Sequence, residues 1–157
     1  MNKTIEIKEL GLRDASLISN ALLKEKSEYL KHFTPFEFSV ESFAKILSNA
    51  KKDRYFGIYV SDELAGFYML RGFDEGYEIP AYGVWISSEF SNKGLSKLTL
   101  YHAFSFCKIN SIKNLMLKVH PDNKIAKALY ESLGFIKVGV DEKNDNIIYH
   151  KALTLNN

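Results

Sequence analysis

The chain has 157 residues, 46% hydrophobic and 25% charged, the size and mix of one globular domain; disordered and fibrous architectures are excluded. Its 21 Lys and Arg against 19 Asp and Glu leave a formal charge of +2, too small to argue for a nucleic-acid or membrane-surface partner. The single cysteine, Cys107, excludes an internal disulfide framework and fits a reducing compartment. No apolar signal core opens the chain, and no apolar run approaches the roughly 18 residues of a membrane span, so a soluble, cytoplasmic, single domain over 1–157 is expected.

In chain order, Thr4 to Lys8 alternates Ile5 and Ile7 with Glu6 and Lys8, as a half-buried strand does. Asp14 reads as a helix N-cap ahead of Leu17, Ile18, Ala21 and Leu22 at helical spacing. A second helix begins near Ser39, with Phe43, Ile46 and Leu47 on one side; the aromatic stretch Tyr29 to Phe38, broken by Pro35, lies between the two. Tyr55 to Val60 and Leu64 to Leu70 read as a hairpin, and Gly72 to Gly76 as a turn before a strand from Tyr77 to Ile86. Gly94 to Ile109 is apolar around most of its girth, the pattern of a buried helix. Asn114 to Val119 is a strand, and Asp122 to Leu133 a helix carrying Ile125, Leu129 and Leu133, stopped by Gly134. Phe135 to Val140 and Ile147 to Leu153 close the chain as strands, the last exposed and able to pair in a dimer. The order βααβββαβαββ implies an α/β or α+β fold, a mixed sheet with helices on both faces.

The stretch from Val84 to Leu98 is a strand, a short loop and the start of a helix. A loop of small residues feeding a helix N-terminus presents unpaired N–H groups at the positive end of the dipole, an anion site suited to a pyrophosphate. Gly94 and Ser96 keep the backbone accessible, and Lys93 and Lys97 add positive charge; the same turn is also an ordinary way to open a helix. No G-x-G-x-x-G and no Walker lysine is present, so dinucleotide and nucleoside-triphosphate sites gain no support. His32, His102, His120 and His150 lack metal-ligand spacing, and no metal is expected. Cys107 falls inside the buried helix pattern and reads as packing. His120, just after a strand, either faces an acceptor or caps its loop. Asp74, Glu75 and Glu78 are either solvated or placed to hold an ammonium and relay its proton. Phe33, Phe36, Phe38 and Tyr77 offer flat faces to a sugar ring or base, or else fill core.

Ser91-Asn92-Lys93-Gly94-Leu95-Ser96 and the stretch Leu117 to Phe135 together resemble the GNAT superfamily of acyl-CoA N-acyltransferases. The first is similar to its Q/R-x-x-G-x-G/A pyrophosphate loop, with Ser91 for Gln or Arg and Ser96 for Gly or Ala. The second matches L-x-V-x-x-x-N-x-x-A-x-x-L-Y-x-x-x-G-F at each named position. The resemblance implies a mixed, mostly antiparallel central sheet splayed at its middle. It further implies that Val84, Trp85 and Ile86 pair their main chain with the pantetheine arm of acetyl-CoA, and that Ser91, Asn92, Lys93, Gly94, Leu95, Ser96 and Lys97 surround its pyrophosphate. Asn123 then fixes its loop and touches the cofactor, and Tyr130 lies near the sulfur as general acid. Phe33, Phe36, Glu75 and Tyr77 fall on the acceptor side, with Glu78 as the carboxylate that takes the proton.

The activity so implied is direct transfer of acetyl from acetyl-CoA to a small primary amine, an amino sugar or its nucleotide-linked form being favoured. The alternatives are transfer to a protein N-terminus or an amino acid, and a non-catalytic module that binds acyl-CoA. Ribosomal-protein alanine acetyltransferases carry Glu in the second position of the L-x-V strand, where this chain has Lys118, which counts against a protein N-terminus. Met69 to Tyr77 is loosely similar to acetyltransferases encoded with surface-polysaccharide pathways. The implied partners are a small amine and no nucleic acid or membrane, in a monomer or homodimer.

Overall fold

The computed structural model describes residues 2–153 and has the expected element order: β1 (Ile5–Glu9), α1 (Ala15–Leu23), α2 (Val40–Asn49), β2 (Arg54–Val60), β3 (Glu63–Arg71), β4 (Ala81–Ile86), α3 (Leu95–Ile109), β5 (Asn114–Val119), α4 (Lys124–Ser132), β6 (Ile136–Val140) and β7 (Ile147–Ala152). The strands form one sheet in the order β1-β2-β3-β4-β5-β7-β6. Every neighbouring pair is antiparallel except β4 and β5, which run parallel and meet at a single position, Ala81 opposite Met116. Beyond it the two strands part, and the sheet opens at its middle.

The layering follows from β3, whose run Leu64 to Leu70 is buried without a break. An unbroken apolar strand has both faces covered. Phe67 and Met69 pack among α1 and α2 residues such as Ile18, Leu22 and Phe43, while Tyr68 and Leu70 turn to Leu100 and Cys107 of α3. Ser39 starts α2, its hydroxyl accepting the Ser42 N–H at 3.2 Å. Asp14 precedes α1 as expected, yet its carboxylate takes the Gly11 N–H at 2.8 Å, at the head of the short 3₁₀ turn Leu12–Asp14, and caps no N–H of α1. Cys107 is fully buried, its thiol pushed up to about 11 by burial, as a packing residue should be. No helix among the described residues is long and apolar enough to cross a membrane.

Four expectations need correction. The strand expected from Tyr77 starts only at Ala81, because Gly76 is left-handed and Pro80 has no N–H to give; the Pro80 carbonyl instead accepts from Met116 N–H at 3.0 Å. Helix α3 buries one face, and Leu98, Tyr101 and Ile109 are exposed despite the apolar composition. In α4 Leu129 and Leu133 pack against the core as expected, but Ile125 is 85% exposed, and Ala126 and Tyr130 complete the inward face. The closing strand is interior, since β7 pairs with β5 along its whole length, and the edge strand is β6 with Ile136, Val138 and Val140 exposed.

Asp74 ties the β3–β4 turn to the start of β2, its carboxylate accepting the N–H groups of Lys51, Lys52 and Asp53 at 3.0, 2.8 and 3.3 Å. These bonds hold its pKa below the ordinary value of 3.8. A carboxylate depressed on folding stabilises the fold above its unfolded pKa, and that contribution is lost as pH falls through the folded one. Burial acts oppositely on Asp53, whose carboxyl is pushed up. Asp74→Asn is therefore expected to lower Tm by a few degrees at pH 7 and to flatten the acid fall of Tm, checked by thermal melts from pH 3 to 7.

Candidate active site

Where β4 and β5 part, a cleft of about 310 Å³ opens, lined by β4, the ends of α3 and β5, the start of α4, and the connection between α1 and α2. Which main-chain groups face it follows from the pairing of β4 with β3. The register runs without a bulge from Arg71 opposite Ala81 to Gly66 opposite Ile86, and Ser87 N–H bonds to the Ala65 carbonyl just beyond. In an antiparallel ladder the bonded residues alternate. Ser87, Trp85 and Gly83 therefore turn their main chain to β3, and Tyr82, Val84 and Ile86 turn theirs to the gap. The Pro80 carbonyl, bonded across to Met116, has the same parity. Val84 has both its N–H and its carbonyl directed into the opening, past the last pair with β5. The expectation that Trp85 offers its main chain is thus corrected; the residue still borders the cleft, with its side chain buried in the core beneath α1 and α2.

The loop from 87 to 94 leads from this strand end to α3. Gly94 sits at the helix N-cap with φ +80°, a left-handed conformation that glycine adopts at little cost. No protein atom stands within 4 Å of where its Cβ would lie, so the space above the turn is open. The first helical bond comes from Leu98 N–H to the Gly94 carbonyl, leaving the N–H groups of Leu95, Ser96 and Lys97 without a helical partner. Lys93 and Lys97 are exposed beside them, and Ser96 reaches the cleft. Ser91 hydrogen-bonds back to the Ser88 carbonyl at 2.9 Å, so its side chain serves the loop; Asn92 turns the loop at φ +60°. Leu95 is buried under the turn. The N–H groups of Leu95, Ser96 and Lys97 thus lie together at the α3 N-terminus, beside an open turn and two exposed lysines.

Tyr130 and Asn123 come from α4. Asn123 caps that helix, its side-chain oxygen accepting Ala126 N–H at 3.3 Å, and lines the cleft. Tyr130 is 9% exposed, packed edge-on against Phe135, and burial pushes its phenol up to about 12. No buried polar side-chain atom among the described residues lacks a partner, yet the Tyr130 hydroxyl takes none from the protein; it opens onto the cleft. Tyr82, also on the cleft, is committed by contrast, its hydroxyl bonded to that of Thr99 at 2.7 Å.

The segment 24–39 forms the remaining wall. Tyr29 O–H donates to the Ile86 carbonyl at 2.6 Å, Phe33 lines the cleft, and His32 stacks on His120 with ring centroids 3.9 Å apart. His120 accepts Asp122 N–H on Nδ1, so its neutral ring carries a proton on Nε2. Burial first, then the facing His120, lowers the pKa of His32 below 6.5. Lys118 reaches the cleft and is ion-paired with Asp141 at 2.9 Å. Sequence did not mark Glu25 at all; Tyr29 and His32 lie in the aromatic stretch it pointed to, and Lys118 was weighed only as the residue standing where ribosomal-protein alanine acetyltransferases have Glu.

Of the expected site residues, Phe33, Val84, Trp85, Ile86, Ser96, Asn123 and Tyr130 share this cleft. Phe36 does not line it and packs with Phe43, under the Arg71 guanidinium. Glu75, Tyr77 and Glu78 are exposed in the connection ahead of β4, at the opposite end of the strand from the opening. No Asp or Glu lines the cleft, and no group of three or more His, Cys, Asp or Glu is placed to hold a metal ion among the described residues.

Residues 20–135 match the sequence profile of the acetyltransferase (GNAT) family. No curated protein matches the chain in sequence. Among solved structures, the spermidine N-acetyltransferase of Vibrio cholerae, in a variant form, superposes with a TM-score of 0.78 at 17% identity, over 95% of this chain and 94% of that one. A ribosomal-protein alanine acetyltransferase from Vibrio fischeri gives 0.78 at 18% identity, over 95% and 93%. An N-acetyltransferase from Thermoplasma acidophilum in complex with coenzyme A gives 0.74 at 20% identity, over 95% and 99%.

Proposed function

The chain belongs to the acetyltransferase (GNAT) family and is an acetyltransferase, and from that premise we propose that it transfers acetyl from acetyl-CoA directly to a small primary amine. The observation that carries this reading is one continuous arrangement: a strand end with free main-chain groups, leading through an open left-handed turn into an uncapped helix N-terminus. Acetyl-CoA, when bound, supplies the acyl group as a thioester.

Leu95, Ser96 and Lys97 N–H groups receive the diphosphate, with Lys93 and Lys97 adding charge and Asn92 and Gly94 shaping the turn. The Val84 carbonyl and Ile86 N–H pair with the pantetheine amides as a neighbouring strand would. Val84 N–H is the donor for the oxyanion, in a site where main-chain dipoles are already oriented. Tyr130 O–H donates to the departing sulfur. Asn123 holds the α4 end in place, and Ser91 keeps the loop folded. No activated nucleophile faces the cleft, so attack by the amine is direct.

The acceptor must arrive as a free amine, and a cleft without a carboxylate favours that form over the ammonium. Tyr29, Phe33 and the His32–His120 stack give it flat faces, which suit an amino sugar, free or nucleotide-linked, better than a polycation. Glu75, Tyr77 and Glu78 stand too far along the chain from this end of β4 to act on it and are given no part.

Calorimetric titration with acetyl-CoA, followed by thiol release on an amine panel that includes nucleotide-linked amino sugars, tests the reading. Saturable binding and thiol release with at least one amine are expected. Absence of binding at millimolar acetyl-CoA removes the reading, and binding without turnover on any amine leaves an acyl-CoA-binding module.

A further inference from the structure

The end of β4 is held from an unexpected side. After Ala81 it has lost β5 as a neighbour, yet residues 85–88 are bonded to the α1–α2 connection by two side chains. The Glu25 carboxylate accepts the Trp85 indole N–H at 3.0 Å and the Ser88 main-chain N–H at 3.0 Å on Oε2, and the Ser88 hydroxyl at 2.7 Å on Oε1. Four residues later, Tyr29 caps the Ile86 carbonyl. Glu25 is half-buried, between the exposed Lys24 and Lys26.

Three donors on one carboxylate make charge-assisted bonds, stronger than neutral ones and directional. Their donors straddle the junction between the strand and the diphosphate loop. We propose that Glu25 is a positioning residue of the acyl-donor site: by fixing Trp85 and Ser88 it sets the separation between the Val84 main chain and the N-terminus of α3. It touches no reacting atom and acts through the two residues it binds. The proposal rests on the reading of the cleft given above.

Glu25→Gln keeps the shape, leaves one oxygen for the two N–H donors that share Oε2 and sets its NH₂ against the Ser88 hydroxyl, which can accept, so it removes the charge that strengthens all three bonds without removing the contacts. The KM and calorimetric Kd for acetyl-CoA are expected to rise about tenfold while kcat stays within about threefold. Ser88→Ala is expected to raise Kd less, and the double variant by less than the two effects combined, because both act through one contact. Trp85 is the only tryptophan of the chain, so its emission maximum should move in Glu25→Gln and in no other way reports a remote change. An unchanged emission maximum, a Kd within twofold of wild type, or a lowered Tm with Kd unaltered each overturns the proposal. Should Glu25→Gln fail to fold, Ser88→Ala with an unaltered Kd overturns it alone. Failure of the functional reading is separate, since it shows as wild-type protein that binds no acetyl-CoA.

Discussion

Tyr130→Phe is expected to lower kcat by about 10²–10³-fold while the KM for acetyl-CoA stays within about threefold. Phenylalanine preserves the edge-on contact with Phe135 and the buried packing of α4, and removes only the hydroxyl that opens onto the cleft. The phenol is pushed up to about 12, because burial disfavours its anion. Such a group stays protonated over the whole working range. It also yields its proton reluctantly to a thiolate, whose conjugate acid lies near about 8.5. The hydroxyl therefore works chiefly as a hydrogen-bond donor that strengthens as charge gathers on the departing sulfur, and solvent completes the protonation. An ordinary tyrosine near 10 would give kcat an alkaline limb; here burial removes that limb from the range below about pH 10. The measurement is steady-state thiol release from pH 6 to 10 for both proteins. A fall in kcat of less than about threefold, at unchanged Tm, would reduce Tyr130 to a core residue.

The order of elements was legible because the apolar period changes cleanly along the chain, from two residues in β1 to helical spacing in α1 and α2, with Gly72, Gly76 and Gly134 marking the stops. The cleft was legible only through the two motifs, and then only in part. Which β4 main-chain groups are free depends on the β3 register, and no local pattern in Val84 to Ile86 encodes it. Glu25 was invisible for a similar reason: its partner Trp85 lies 60 residues away, and an acid between two lysines reads as a solvated face. Glu78 was misleading because sequence adjacency to a strand says nothing about which end carries the opening. In α4 Leu129 and Leu133 pack inward with Ala126 and Tyr130, and only Ile125 of the expected stripe turns outward, a choice that the position of the sheet makes and the spacing does not. Lys118 shows the strand period at work, its side chain pointing opposite to the buried Leu117 and Val119 and reaching Asp141.

Gly94→Val should raise the KM for acetyl-CoA at least tenfold, about 1.4 kcal/mol of lost binding, with kcat nearly unchanged. Two effects of the side chain must be separated. One is backbone strain: at φ +80° a side chain costs about 1–2 kcal/mol, more when β-branched, and lowers Tm wherever it occurs. The other is occupation of the vacant space beside the first turn of α3, where no protein atom lies within 4 Å of the new Cβ. Gly76 supplies the control, being left-handed at φ +94° with equally open surroundings, but in the β3–β4 turn at the far end of the strand. Gly76→Val is expected to lower Tm by a similar amount and leave KM within twofold. Donor chemistry gives a second control. S-acetylpantetheine has no diphosphate, so Gly94→Val and wild type should use it equally well. Because the strain is common to both donors, a KM defect seen only with acetyl-CoA locates the diphosphate against the α3 N-terminus. An equal defect with the truncated donor, or a folded Gly94→Val protein with unaltered KM, would place the diphosphate elsewhere.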